Sequence, residues 1–143
     1  MGGWTCPECG LDYDRISPTD VAVALRSFPR RFRALLTGFD KDEDPESLVR
    51  RKPDERTWSA LAYTSHVADM FAAIREAVSR MLVEERPKLR LPDPDEPDRE
   101  EAATAASVES VLVRLAEAAE CLAACLESIP PGDWGRTAIF PRG

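Results

Sequence analysis

Apolar residues return every three or four positions in three long stretches of the chain, and each stretch predicts an amphipathic helix. In the first, Val21, Leu25, Phe28, Phe32 and Leu35 fall on one face, over about residues 18–38. Its start is written in Ser17-Pro18-Thr19-Asp20. Ser17 can cap the helix, Pro18 suits the first helical position, and the Asp20 carboxylate suits the positive end of the helix dipole. Pro29 removes a backbone donor and crowds Leu25, which predicts a kink or a short break, and Gly38 is the stop. The second stretch, about 58–85, aligns Val67, Met70, Phe71, Ile74, Val78, Met81 and Leu82 before Pro87 ends it. The third, about 100–128, aligns Val108, Val111, Leu112, Leu115, Leu122 and Leu126.

What lies between these helices is polar and proline-punctuated. The segment FDKDEDPESLVRRKPDER reads as a loop with at most one short turn. Residues 87–99 are acidic and rich in proline, too poor in apolar surface to order themselves, and predict a solvated connector. The closing IPPGDWGRTAIFPRG predicts an irregular tail. The pattern is therefore all-α: a short arm over residues 1–16 and a helical bundle over residues 17–143.

Composition narrows the setting. A chain of 143 residues suits one domain with its own core. No apolar run approaches the ~18 residues of a membrane span. The opening lacks the basic-then-apolar pattern of a secretion signal, which places the protein in the cytoplasm. A net charge of −7 argues against a broad nucleic-acid footprint, and no direct DNA binding is expected. Locally, Arg26, Arg30 and Arg33 recur at i, i+4 and i+7 and gather positive charge on one side of the first helix. Such a face suits an acidic protein or phosphate partner, and is equally the ordinary solvated exterior of a bundle. Arg50, Arg51 and Lys52 would extend it.

The candidate chemistry sits in the arm. In C-P-E-C-G, Cys6 and Cys9 stand three positions apart around a proline-set turn, with Gly10 directly after. Two thiolates at this spacing form half of a tetrahedral zinc site, and the glycine lets backbone amides turn toward sulfur. Free thiols in a frayed terminus and a redox C-x-x-C remain the alternatives, although no strand precedes the pair as a redox motif requires. The other half of the site would come from His66 or from outside the chain. Cys121 and Cys125, one helical turn apart on the flank of the third stripe, are further candidates, or pack as small hydrophobes. His66, the one histidine, falls at the edge of the second helix's buried face. Asp69, one turn on, is placed to orient its ring as an outer carboxylate, or is an exposed helix charge.

The run Trp58, Ser59, Leu61, Tyr63, His66, Val67, Asp69 resembles the second helix of the DinB/YfiT-like superfamily, which includes mycothiol-dependent maleylpyruvate isomerases. Trp134 and Arg136 after a proline-rich turn resemble the segment before that family's last helix. The resemblance implies an up-and-down four-helix bundle with a divalent metal, and His66 as its first ligand. It further implies two ligands on a last helix that this chain does not reach, hence an exposed apolar groove, and a homodimer or a helix borrowed from a partner. A DinB-like bundle carrying an N-terminal C-P-x-C-G resembles a group of actinobacterial proteins that includes a recruitment factor of ribosome hibernation. That likeness implies Zn2+ as the bound metal and a hibernation factor or the ribosome as the partner. A metal-dependent thiol transferase or isomerase is the competing activity.

Overall fold

In a computed structural model describing residues 5–93 and 99–141, the chain is helical throughout, with only isolated backbone bridges outside the helices. Helix α1, Pro18–Thr37, begins as the sequence requires: Ser17 Oγ accepts the Asp20 N–H at 3.1 Å, and the Asp20 carboxylate accepts the Ser17 N–H at 3.0 Å. It runs through Pro29 without the expected break. Leu25 is buried and Phe28 packs on Phe71 at 5.6 Å between ring centroids, so tertiary contacts on either turn hold the helix across the missing donor.

The loop that follows contains a short helix α2, Pro45–Arg50, capped by Asp44, which carries the buried Val49 into the core. Helix α3 is Ala60–Val83, with Ser59 Oγ accepting the Ala62 N–H at 3.1 Å. The third predicted helix is two. Helix α4, Arg99–Ala105, stops, and α5, Val108–Glu127, restarts on Ser107, whose Oγ accepts the Ser110 N–H at 3.1 Å. The break is stabilised from α2. The Arg50 guanidinium donates to the carbonyls of Thr104 (3.2 Å) and Ala106 (2.8 Å), which a continuous helix would have consumed.

The 87–99 connector is more ordered than its composition predicts. Pro87 and Leu89 are buried, and the tail lies beside them: the Leu89 N–H donates to Ile139 O and the Ile139 N–H to Pro87 O, each at 2.9 Å. Residues 94–98 of that connector lie outside the described set.

Helix directions follow from the two apolar clusters. At one end Leu36, from the close of α1, meets Leu61, from the start of α3, and Val108, Val111 and Leu112, from the start of α5. At the other, Ala22 and Leu25 meet Leu122 and Ala123, with Phe71 and Ile74 packed against them. So α1 runs antiparallel to α5, while α3 runs parallel to it. A simple up-and-down alternation would reverse α5 against α3. The long connection carrying α4 instead returns the chain to the start of α3, about 36 Å for a 24-residue helix. Helix α5 lies between α1 and α3, which meet each other far less than either meets α5, as where Phe28 packs on Phe71. That is why Val111, Leu115, Ala119 and Ala123 are sealed, while Val67, Ile74 and Val78 on α3 stay only half-buried.

Candidate metal centre

The arm folds into a tight turn. A bridge between Thr5 and Asp12 closes its base. The Cys6 N–H donates to Leu11 O at 2.8 Å, and the Gly10 N–H to Cys6 O at 2.9 Å. Gly10 adopts φ +72°, the left-handed conformation that glycine takes without penalty. Within this loop the backbone N–H groups of Cys9 and Glu8, and then the Cys9 side chain, bond the Cys6 sulfur and hold its thiol below the ordinary range. Cys6 is half-buried and Cys9 exposed, so the turn that carries them is open to solvent. Donors converging on sulfur favour the thiolate, the form that ligates metal.

The corner after the turn anchors it to the bundle. Tyr13, Ile16 and Pro18 border a cleft of about 650 Å³ with Val21, Leu126 and Trp134. Leu126 also borders a smaller cavity of about 100 Å³ with Val78, Met81 and Leu82. The arm therefore sits at the level of the last turns of α3. His66 sits in its second turn, 12 to 16 residues earlier, about 18–24 Å along the axis. The thiol pair and the histidine are not brought together.

His66 has its own surroundings. Its ring stands edge-on to Trp58 at 5.4 Å, and Trp58 in turn packs at a tilt against Tyr63 at 5.4 Å. The His66 Nδ1 is buried with no hydrogen-bond partner among the described residues. Asp69 does not orient it. Its carboxylate accepts from Arg99 at 3.2 Å and faces Arg114 at 3.5 Å, while Arg114 also donates to Ser65 Oγ at 2.6 Å. Cys121 borders a cleft of about 360 Å³ between α3 and α5, with Ala68, Ala72, Asp69 and Arg114; Cys125, one turn on, is half-buried. Among the described residues no group of three His, Cys, Asp or Glu side chains is placed to hold a metal.

The arginine stripe is largely occupied within the chain. Arg26 bonds both Glu120 (2.9 Å) and Glu127 (2.7 Å), and Arg33 bonds Glu109 (2.9 Å), so both tie α1 to α5. Each guanidinium is raised above its ordinary pKa by hydrogen bonds to these carboxylates, which are lowered in return. Arg30 is exposed on the same helix. Arg50 braces the α4–α5 break, and Lys52 pairs with Glu100 at 3.0 Å, so neither extends a free patch. Among the described residues no helix is long and apolar enough to cross a membrane. Two features escape the sequence pattern: the aromatic cleft beside the arm, and the Arg99–Asp69–Arg114 cluster. Both join residues distant in the chain.

Residues 24–143 match the profile of the DinB superfamily. A solved structure, YfiT from Bacillus subtilis, described as a probable metal-dependent hydrolase with an unusual four-helix bundle topology, is similar in fold. Its TM-score is 0.71 at 17% identity, over 99% of this chain and 76% of that one. No curated protein matches the chain. The metal that this fold family implies in the bundle does not fit the described residues: His66 offers one ligand, and the neighbouring Asp69 is committed to two arginines.

Proposed function

The chain belongs to the DinB superfamily, and from that premise we propose that it is a zinc-binding, non-enzymatic interaction protein whose N-terminal turn reports metal to a protein partner. One observation carries the reading: the C-P-E-C-G turn closes on itself, with the Gly10 N–H donating to Cys6 O at 2.9 Å and Gly10 at φ +72°, so that Cys6 and Cys9 share one tight loop. Two cysteines three positions apart in such a turn can supply half of a tetrahedral zinc site. The bundle beneath is then a scaffold. Catalysis on a bundle metal needs three protein ligands and an open position, and among the described residues His66 stands without companions for that task.

The turn on a DinB-type bundle resembles the actinobacterial group that includes a ribosome-hibernation recruitment factor. That likeness makes the cytoplasmic ribosome and its hibernation factor the partners to test. Zinc acts as a signal only if its affinity differs between the free and the partner-bound chain. Metal analysis of the purified chain should find zinc, and the Cys6→Ser, Cys9→Ser variant should lack it; equal zinc in both removes the reading. Co-sedimentation with ribosomes should change on adding a chelator, and that change should vanish in the double-serine variant. An identical yield under all conditions would leave a structural knuckle with no signalling role.

A further inference from the structure

We propose that two copies of this chain meet at their N-terminal arms and share one zinc ion, with Cys6 and Cys9 of each copy as its four ligands. The proposal rests on the zinc reading above and adds the ligand count and the partner. A closed tetrahedral zinc site takes four ligands. The arm supplies two. His66 lies at the opposite end of α3 from the corner on which the arm packs, and among the described residues no third ligand joins the pair. Two further ligands are needed to close the site, and a second copy of the arm can supply both. A second copy offers the same pair of cysteines on the same short turn, and a two-fold axis through the ion turns two identical half-sites into one S4 site. The exposure of Cys9 and the half-burial of Cys6 leave room for the ion at the surface.

The surface around the pair fits the same partner. Zinc–sulfur bonds of about 2.3 Å bring two such turns into direct contact, which presses together whatever flanks them. The segment that follows the turn exposes apolar and aromatic side chains, Leu11 at 43% and Tyr13 at 53%, and Trp134, 44% exposed, borders the same open cleft as Tyr13. The rim is polar, with Asp12, Asp14 and Arg15. An exposed apolar patch with a polar rim marks an interaction site, and aromatic side chains are the usual anchors of one. The zinc ion supplies the clamp, and the aromatic corner supplies area that the ion alone lacks.

Sedimentation equilibrium and native mass spectrometry of the full chain test this, with zinc chloride or a chelator, in a non-chelating reductant that prevents intermolecular disulfides. The expected result is a dimer holding one zinc per two chains, reverting to a zinc-free monomer with the chelator and in the Cys6→Ser, Cys9→Ser variant. A monomer holding one zinc overturns the shared site and leaves the zinc reading intact. A chain that binds no zinc overturns both. A dimer that survives in the double-serine variant overturns the shared site as well. Trp134→Ala, checked for unchanged helicity, should keep one zinc per two chains while raising the dimer dissociation constant at least about tenfold; an unchanged constant removes the aromatic corner from the interface.

Discussion

Replacing Gly10 by alanine isolates the turn as the source of metal affinity. A Cβ added at Gly10 meets nothing within 4 Å, so no steric clash enters. The whole effect comes from φ +72°, where an L side chain costs about 1–2 kcal/mol. The metal-free arm can relax out of that conformation, whereas the zinc-bound turn cannot, so the cost falls on binding. At 1.4 kcal/mol per decade this raises the zinc dissociation constant roughly 5- to 30-fold. Competition against a chromophoric chelator reads it directly. Gly10→Asn should lose less, because asparagine tolerates the left-handed region. Thermal unfolding of the bundle should be unmoved in both variants, since the turn lies outside both apolar clusters. Unchanged zinc affinity in Gly10→Ala, or a larger loss in Gly10→Asn, would refute the account of the turn as a metal cradle.

Other outcomes follow from the packing. Leu115→Ala removes a fully buried side chain from the helix flanked on both sides, and should cost about 2–5 kcal/mol in urea unfolding. Arg26→Gln should flatten the acid limb of stability. Glu120 and Glu127 are held below the ordinary carboxylate pKa by Arg26, so the pairs contribute above that value and fade as pH falls through the lowered one. The melting-temperature gap between wild type and variant should therefore be present at pH 7 and shrink by pH 3. His66→Ala should leave zinc content unchanged by metal analysis, because the histidine lies far from the thiol pair; lost zinc would place it in the site. Arg50→Ala should lower the melting temperature and raise amide exchange at Ser107 and Val108, the junction that its guanidinium braces.

The helical faces, the Ser17 cap and the thiol turn were legible because each depends on residues within a few positions of one another. Periodicity alone placed Leu115 and Leu122 in the core, and the Cys-x-x-Cys-Gly spacing alone announced a turn around sulfur. The break between α4 and α5 was not legible, since it rests on Arg50 reaching Thr104 and Ala106 from 54 and 56 residues away. Nor was the fate of the arginine stripe: Arg26 and Arg33 find carboxylates only because α5 runs antiparallel beside α1. The parallel course of α3 and α5 also decided which candidate ligands could meet. It places His66 and the cysteine turn at opposite ends of the same helices. Local sequence determines what each residue can do, but ligands on separate elements converge only where the chain's path brings them, and that path is set by long-range packing.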